Sequence, residues 1–359
     1  MEQQIKADLK DWAKIISQYK KPNNTKAIIQ LVNSFGPFIG LWVLMYFSLS
    51  WSYLITLALA FVNAFFLVRI FIIQHDCGHQ SFLQKRKWNN RIGLVCSFFS
   101  AIPYKYWAKV HSHHHGHTGQ LEERDFGDIN FLTVKEYHQL PTVNKLAYRA
   151  FRSPFMLFCI VPIIYLVFSM RYPFLGKGRK GWKRIHQAMT INNLLFTAVF
   201  MGCGFLFGWQ NFLMVHLPIV YFFGVIAFWF FYVQHQHEET YQQWKENWDY
   251  VLAAIKGATY YKLPKVFQWL TGNIGFHHIH HLSSQIPNYN LERCAEENPI
   301  LQKHVKVLTF RESLGAIFNK LWDEDSERMI SFSEYAEMKK VKVVEKMPAK
   351  SLHRRTEAA

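Results

Sequence analysis

Long apolar stretches separated by polar, basic segments dominate the pattern of this chain. Four of them are long enough to cross a bilayer, for which an α-helix needs about 20 residues; they cover residues 27–48, 51–73, 191–208 and 212–233. The short turns within each pair of stretches carry no charge, whereas the long segment between the pairs is rich in lysine and arginine. Because basic loops tend to face the cytoplasm, we expect the turns outside and the middle segment inside.

A fifth apolar run, residues 154–170, is at the lower length limit for a span and has Pro162 in its middle. If it crossed the membrane, the basic residues between 177 and 184 would face outward, and the later histidines would lie across the membrane from the earlier ones. We therefore predict that this run is re-entrant or interfacial, like the shorter run 92–103. The pattern thus favours four spans.

Both ends of the chain are polar. In residues 1–26, apolar side chains recur at three- and four-residue steps, which predicts an amphipathic helix lying on the membrane interface or packed on the cytoplasmic side of the protein itself. Residues 326–359 are expected to form a polar basic tail, solvated and disordered from residue 339. Residues 27–325 are predicted to form one membrane domain.

Composition agrees with a membrane protein. Hydrophobic residues make up 50% of the 359, and the formal net charge is +16, a combination that is rare in soluble domains. A basic charge can indicate nucleic-acid binding, but here it lies beside apolar runs, where lysine and arginine face anionic lipid. We therefore expect no nucleic-acid partner. The five cysteines are scattered, which favours reduced thiols.

The histidines are clustered. Of the 18 histidines, 13 fall in four short groups. The groups are His75-Asp-Cys-Gly-His79, residues 111–117, His235-Gln-His237, and His277-His-Ile-His280-His281. The second and fourth contain the spacing His-x-x-His-His, and side chains at i, i+3 and i+4 project from one face of a helix. Each triplet can therefore converge on one point, and so can the pair His75 and His79.

A single triplet of this kind is commonly a polar helix surface, but two of them and a paired box on one side of a membrane favour a metal site. Eight or nine imidazoles are too many for one ion, so we predict two ions. Imidazole suits zinc, copper, iron and nickel alike, and the histidines alone leave the metal open. Four nearby acids are candidates to hold ring N–H groups, although a surface ion pair is the commoner role: Asp76, Asp128, Glu238 and Glu239.

These motifs resemble those of the membrane fatty acid desaturases, most closely the bacterial acyl-lipid branch that acts on membrane phospholipids. The similarity runs from about residue 30 to 325. Besides the histidines it includes Gly127-Asp-Ile, Tyr261-Lys-Leu-Pro-Lys265, the segment 268–275, and Pro287-Asn-Tyr289. Because these matches lie outside the boxes, the resemblance is specific.

The resemblance implies an all-α integral membrane fold: four transmembrane helices with a cytoplasmic helical cap that carries a diiron site. Carried over position by position, the ligands would be His75, His79, His111, His114, His115, His235, His277, His280 and His281. His113, His117 and His237 stay unassigned. The resemblance further implies an oxygen-dependent oxidoreductase that uses two iron ions and O₂ to introduce a cis double bond into acyl chains held in a tunnel. Candidate tunnel residues are Phe98, Phe99, Tyr104, Trp107 and Trp269.

Electrons must come from a partner, because the sequence contains no dinucleotide fingerprint, paired-cysteine cluster motif or fused haem domain. A ferredoxin or flavodoxin is the expected donor, and the plasma membrane the expected location, with the boxes and both termini cytoplasmic. Two alternatives remain: an alkane, acyl or carotenoid hydroxylase on the same scaffold, and a membrane metal-handling or transport protein. Against transport, the boxes lie at the interface rather than at the midplane. The sequence leaves open the double-bond position, the head group and the oligomeric state.

Overall fold

A computed structural model describes residues 1–345 of the chain, and their side chains to residue 340. The fold is mainly helical. The α-helices are α1 (Glu2–Asp8), α2 (Trp12–Ser17), α3 (Asn24–Ser48), α4 (Tyr53–Gly78), α5 (Arg86–Ser100), α6 (Tyr104–His117), α7 (Val134–Gln139), α8 (Thr142–Phe151), α9 (Val161–Ile164), α10 (Trp182–Phe207), α11 (Trp209–His235), α12 (Tyr250–Lys256), α13 (Lys265–Leu270), α14 (His277–Leu282), α15 (Asn288–Glu297), α16 (Phe310–Ala316) and α17 (Phe332–Glu345). Two π-helical turns, Met156–Ile160 and Tyr165–Ser169, flank α9, and a 3₁₀ turn covers Pro299–Gln302.

The four predicted spans are confirmed. Among the described residues, the straight helices long and apolar enough to cross a membrane are α3, α4, α10 and α11, one for each predicted stretch. All four extend beyond the apolar pattern: α3 begins at Asn24, α4 continues to Gly78, α10 begins at Trp182, and α11 covers Trp209–His235. The additional turns contain polar side chains that pack on other helices. They carry the first box and His235 beyond the apolar stretches.

The chain bends just before the fifth apolar run, a geometry that occurs both in a broken span and in a re-entrant loop. Helix α8 and the segment Met156–Ser169 meet at 59°. The segment packs on α11, where a Cβ on Gly224 would lie 3.0 Å from Pro162 Cβ and the rings of Phe158 and Trp229 are 5.1 Å apart. Pro162 cannot donate a backbone hydrogen bond inside a helix, and π-helical turns lie on either side of α9, which contains it.

Two hydrophobic cores organise the helices. One, which we call the stem core, is built by α3, α4, α5, α6, α10 and α11. The other, the cap core, is built by α1, α2, α12, α14 and α15. The N-terminal apolar side chains Ile5, Leu9, Ile16 and Tyr19 are buried in the cap core. Of the two interpretations of this segment, packing on the protein itself is therefore the one that the structure has.

Short strands add two small sheets that the apolar pattern did not predict. In one, β1 (Leu132–Thr133) pairs in parallel with β4 (Leu321–Asp323), which pairs antiparallel with β5 (Arg328–Ile330). In the other, β2 (Thr259–Lys262) and β3 (Lys306–Thr309) are parallel. Each strand is too short for its alternation to stand out in the sequence. The sheets tie distant parts of the chain together beside the histidine boxes.

The C-terminal segment is more ordered than its polar composition indicates. Strand β5 and helix α17 lie within residues 326–345, where a polar tail was expected, and Met329, Ile330 and Tyr335 are buried. The Tyr335 ring lies 5.1 Å from the ring of Tyr137, edge to face. The expectation of disorder is therefore wrong for residues 339–345, because α17 starts from a buried aromatic contact. The rest of the predicted tail, 346–359, lies outside the described residues.

Replacing Ile16 by alanine should lower the free energy of unfolding by about 3 kcal/mol, because the deleted methyl groups leave a cavity in the cap core. The Ile16 side chain is 0% exposed. The melting temperature of the purified protein in detergent, followed by tryptophan fluorescence, measures the effect. Lys14→Ala, at an exposed position of the same helix, is the control and should change little. Equal melting temperatures for both variants would contradict the packing of α2.

Candidate metal centre

The first box lies where α4 ends. His75 is within the last turn of the helix and His79 caps it. Gln80 adopts a left-handed conformation with φ of 62°, and the Ser81 N–H donates to the Asp76 carbonyl at 3.0 Å. This closing turn ends the helix and reverses the chain. Both histidines of the box therefore stay on one side of the helix end.

The other boxes lie on three separate helices. The second is in α6, which begins after the left-handed residue Ala101 and Pro103, and His235 is the last residue of α11. The final box forms nearly all of α14, a six-residue helix whose residues are all buried. The Tyr250 hydroxyl donates to the His281 carbonyl at 2.7 Å, which satisfies a carbonyl at the helix end. A short, buried helix of this kind depends on its neighbours for stability.

The structure brings all nine predicted histidines together in two groups, within each of which the ring nitrogens lie within 4.8 Å of one another. The first group is His75, His79, His111, His115 and His280. The second group is His114, His235, His277 and His281. Both triplet boxes are divided between the groups. The groups adjoin, since the rings of His115 and His281 stack at 4.3 Å.

Several ring nitrogens lie about 3 Å from a ring nitrogen of another histidine. The Nε2 atoms of His277 and His235 are 2.9 Å apart, and those of His277 and His281 are 3.1 Å apart. The same separation, 3.1 Å, joins the Nε2 atoms of His111 and His115. Two nitrogens bound to one first-row metal at about 2.1 Å are about 3.0 Å apart at right angles and about 3.4 Å apart at the tetrahedral angle. The observed spacing fits two nitrogens that bind the same ion.

Ring nitrogens without a hydrogen-bond partner are a second feature that fits a metal site. Among the described residues, five of the nine histidines have a buried ring nitrogen without a hydrogen-bond partner: His79, His114, His115, His277 and His280. A buried polar atom left unpaired costs about 1–3 kcal/mol. Burial also lowers the pKa of the boxes' imidazoles well below the usual histidine value, at His79, His111, His115, His277, His280 and His281. The rings are therefore neutral, as metal binding requires.

Two of the four candidate acids hold histidines. Asp76 is buried, and its Oδ1 accepts from His75 Nδ1 at 2.9 Å. Its other oxygen accepts from the backbone N–H of Asn288 at 2.6 Å and from the Asn288 side chain at 2.8 Å. Asn288 Oδ1 in turn accepts from Gln30 Nε2 at 2.9 Å. This chain of contacts joins α3, α4 and α15, and it fixes the ring of His75.

Asp128 is the second candidate acid that contacts a histidine of the centre. Its Oδ1 lies 2.5 Å from His114 Nδ1, although the ring nitrogen is not aligned for a hydrogen bond. The preceding Gly127 has φ of 96°, and a Cβ there would lie 3.1 Å from Val110 Cγ1 on α6. Only glycine tolerates this close approach in a left-handed conformation. The Gly-Asp pair in the sequence therefore brings a carboxylate directly onto the second box.

The other two acids lie on the surface. Glu238 pairs with Arg328 at 3.2 Å and is 61% exposed, and Glu239 pairs with Lys306 at 2.6 Å and is 66% exposed. Both therefore take the surface ion-pair role that was the commoner expectation. A backbone carbonyl serves His235 instead, because its Nδ1 donates to Gly257 O at 3.1 Å.

The unassigned histidines lie outside both groups. His113 contacts Glu123 at 2.8 Å, and His117 Nδ1 donates to the His113 carbonyl at 2.9 Å. His237 and His278 are buried, and burial lowers the pKa of each to about 3. Neither belongs to a group that can hold a metal ion. Their burial next to the boxes makes them packing residues around the centre.

Sequence reasoning missed a buried cation beside the centre. Arg152 is 0% exposed and donates to Gln236 Oε1 at 2.6 Å and to the Asn130 carbonyl at 2.8 Å. Gln236 directly follows His235, and its amide donates to the carbonyl of Ile129, next to Asp128. Arg152 therefore links the segments that carry His235 and Asp128. The sequence shows it only as one of many basic residues, and no spacing signals its role.

Asp76→Asn should reduce the affinity for metal about 10- to 100-fold, the usual effect of losing a partner that orients a ligand. The amide keeps the shape of the side chain but not its charge. Metal retained per chain after dialysis against a chelator, measured by mass spectrometry, tests this. Glu239→Gln removes an exposed acid near the centre and should change retention less than twofold. The same retention in both variants would rule out a role for Asp76 at the metal.

Comparisons with known proteins agree with this centre. The family described as fatty acid desaturase matches residues 48–311. The chain is 45% identical over 331 residues to a fatty acid desaturase of Bacillus subtilis (strain 168), covering 92% of this chain and 93% of that protein. It is 28% identical over 290 residues to the sn-1 oleoyl-lipid 12-desaturase of Picosynechococcus sp., 76% of each chain. It is 27% identical over 340 residues to the sn-1 acyl-lipid omega-3 desaturase (ferredoxin) of Nostoc sp., 88% of this chain and 85% of that protein.

The matched region contains every histidine of the two groups and the spans α4, α10 and α11, whereas it includes only Ser48, the last residue, of α3. The similarity to the Bacillus protein extends over nearly the whole length of both chains. A transport or metal-handling role is therefore set aside. This chain belongs to the fatty acid desaturase family, and it is a membrane oxidoreductase that desaturates the acyl chains of membrane lipids.

Proposed function

We propose that the protein is an O₂-dependent diiron desaturase that introduces a cis double bond into the acyl chains of membrane phospholipids. The observation that carries the proposal is the division of the boxes between two adjoining groups. The second box contributes two histidines to one group and one to the other, and the last box contributes one and two. A pair of ions sharing two helices accounts for this division, whereas two independent sites would not need it.

Iron is the metal that fits the reaction. A methylene C–H bond is too strong for any side-chain base, so the chemistry has to come from a metal and oxygen. Bound iron would supply the oxidant that removes hydrogen from two adjacent carbons. The nine imidazoles are neutral ligands, and the charge of two ions would be offset by Asp76 and Asp128. The protein residues thus hold the ions, exclude water and position one carbon pair.

The overall reaction needs an electron donor. Reduction of O₂ to two waters takes four electrons, of which the methylene pair supplies two when its C=C bond forms. The other two electrons and two protons must come from outside the substrate. A ferredoxin or flavodoxin is the proposed donor, and the name of the Nostoc relative includes ferredoxin. The net charge of +16 favours docking of an acidic carrier.

The plasma membrane is the proposed location, with the boxes, the cap and both termini on the cytoplasmic side. The basic residues support this orientation, since they accompany the histidines and are missing from the turns around Ser50 and Gln210. Helices α4 and α11 end at the centre. With two hairpins of two spans each, all four boxes emerge on one side.

An apolar cavity of about 280 Å³ within the stem is the proposed site for the far end of the acyl chain. It is lined by aromatic side chains of α3, α5, α10 and α11, among them Phe98, Phe99 and Phe200, and by Cys203. Phe98 and Phe99 were candidate tunnel residues. Of the other candidates, Trp107 stacks on His111 at 4.4 Å, Tyr104 donates to the Cys77 carbonyl at 2.7 Å, and Trp269 packs over Arg69.

Replacing a proposed ligand should abolish desaturation. Loss of a residue that merely orients a ligand costs about 10- to 100-fold, so His114→Ala and His280→Ala, one from each group, should cost more. Iron per chain and alkene formation from phospholipid, located by mass spectrometry, are the measurements. His138→Ala is the control, because His138 pairs with Tyr335 at 3.0 Å, outside both groups.

Two outcomes would count against the proposal. Full activity or full iron content in both ligand variants would contradict the proposed diiron centre. If the unmodified protein forms a hydroxylated lipid and no new alkene, the enzyme is a hydroxylase on the same scaffold and not a desaturase. A product with a double bond of trans geometry would contradict the cis assignment alone.

Filling the stem cavity should shorten the preferred acyl chain. Each methylene in an apolar pocket is worth about 1 kcal/mol or more, so Cys203→Trp should raise the ratio of products from 14-carbon over 18-carbon chains at least about tenfold. Met201→Trp, at an exposed position of α10, is the control. Gas chromatography of the products from a mixed lipid pool gives the ratio. An unchanged ratio in Cys203→Trp would mean that the acyl chain ends elsewhere.

A further inference from the structure

A pocket of about 420 Å³, with basic and aromatic side chains in its lining, opens at the start of α10, outside the two histidine groups. The side chains that line it include Arg179, Trp182, Lys183, His186, Gln187 and Thr190. Two of these are cations and three can donate or accept hydrogen bonds. The pocket contains no acid, and the acid nearest to its cations is Glu123, 3.9 Å from Arg179. A pocket of this composition is suited to an anion.

The loop that forms the pocket is held in shape. Gly176 has φ of 76°, and a Cβ at that position would overlap the ring of Trp182. The loop therefore folds back onto the indole, which only glycine permits. The ring Nε2–H of His186 donates to the Leu175 carbonyl at 3.0 Å. A preformed loop loses little conformational entropy when it binds a ligand.

The pocket borders the lipid-facing surface. Tyr172 and Phe174, just before the loop, are 58% and 59% exposed, as is typical of aromatic anchors at a membrane interface. On the other side, Ile191 and Leu194 of α10 are also exposed, in the apolar part of a span. The pocket thus lies between interfacial aromatic side chains and the bilayer face of a helix. An anionic group at that level belongs to a lipid.

The same loop is attached to the helix that carries the second box. The Leu175 N–H donates to the Tyr106 hydroxyl at 3.2 Å, and the rings of Trp182 and Tyr106 are 6.2 Å apart. Tyr106 precedes His111 by five residues in α6, a distance of about 7.5 Å along the helix axis. A head group held here would lie close enough to the histidines for an acyl chain of the same lipid to reach them.

We infer that this pocket binds the phosphate of the phospholipid substrate's head group, an inference that rests on the proposed action on phospholipid acyl chains. Arg179 and Lys183 bind the phosphate oxygens by charge-assisted hydrogen bonds. Anchoring the lipid at its head group fixes the distance from the carboxyl end of the chain to the metals. The double-bond position is therefore counted from the carboxyl end rather than from the methyl end.

The test compares two double variants that remove the same charge from the same segment. Arg179→Gln with Lys183→Gln changes the pocket. Lys180→Gln with Arg184→Gln changes two exposed neighbours outside its lining and is the matched control. The iron-loaded proteins are assayed in neutral mixed micelles with dipalmitoyl-phosphatidylglycerol. Binding of dihexanoyl-phosphatidylglycerol and of inorganic phosphate is measured by calorimetry on the same samples.

The pocket variant should raise KM for the lipid about tenfold or more, with kcat within about twofold, because two charge-assisted hydrogen bonds are lost. The control should change KM less than twofold. Short-chain phosphatidylglycerol should bind the unmodified protein and lose affinity about tenfold in the pocket variant, while inorganic phosphate binds far more weakly. Substrates with 16 and 18 carbons should give double bonds at the same distance from the carboxyl end.

Other results would overturn the inference. Equal effects in both double variants would mean that the loop acts only through its overall positive charge. An unchanged KM for the lipid in the pocket variant would exclude lipid binding there. Inorganic phosphate binding as tightly as the short-chain lipid would make this a free-phosphate site. A raised KM for reduced ferredoxin instead of lipid would make it a donor-docking surface. If the unmodified protein forms no alkene, the proposed function fails, and the binding measurements still decide the inference.

Discussion

Convergence of nine imidazoles on one buried place is the constraint on which this structure depends. Their ring nitrogens face one another at about 3 Å in several pairs, an arrangement that burial alone would disfavour and that a bound cation stabilises. Four separate segments have to supply these rings at the same depth. The two helical hairpins of the stem meet that requirement, because an even number of crossings returns each box to the same side. Helices α4 and α11 continue past their apolar stretches, and these extensions place the first box and His235 in the centre.

The stem and the cap are held together at this same place. Asp76 contacts His75 within the stem and Asn288 of the cap, and Asn288 also receives a hydrogen bond from Gln30 of α3. Arg152 links the end of α11 to the loop that carries Asp128. Hydrogen bonds in a buried network of this kind strengthen one another, so the loss of one weakens the others. The geometry of the metal centre and the docking of the cap are therefore not independent, and a change in one of these contacts acts on both.

Negative charge is scarce around the centre. Of the four candidate acids, Asp76 and Asp128 contact histidines of the two groups, whereas Glu238 and Glu239 pair with Arg328 and Lys306 on the surface. The two pairs of acids differ because of the backbone that carries them. Gly127 lets the loop before Asp128 pack closely against α6, whereas Glu238 and Glu239, which follow the end of α11, are exposed. Positive charge is instead found in the loop before α10 and the first turn of that helix, where Arg179 and Lys183 line a pocket.

The sequence by itself determined the four candidate spans, the emergence of the boxes together at one end of them, and the nine histidines that the structure assembles, because apolar length and helical spacing are local properties. Tertiary structure alone decided how the triplets divide between two groups, since helix geometry places His111 and His114 on one face but cannot say which neighbour each ring meets. It also decided which acids serve the centre, the packing of the N-terminal helices on the cap, and the order of residues 326–345. Each of these depends on contacts between residues far apart in the chain, for which a single sequence carries no periodic signal.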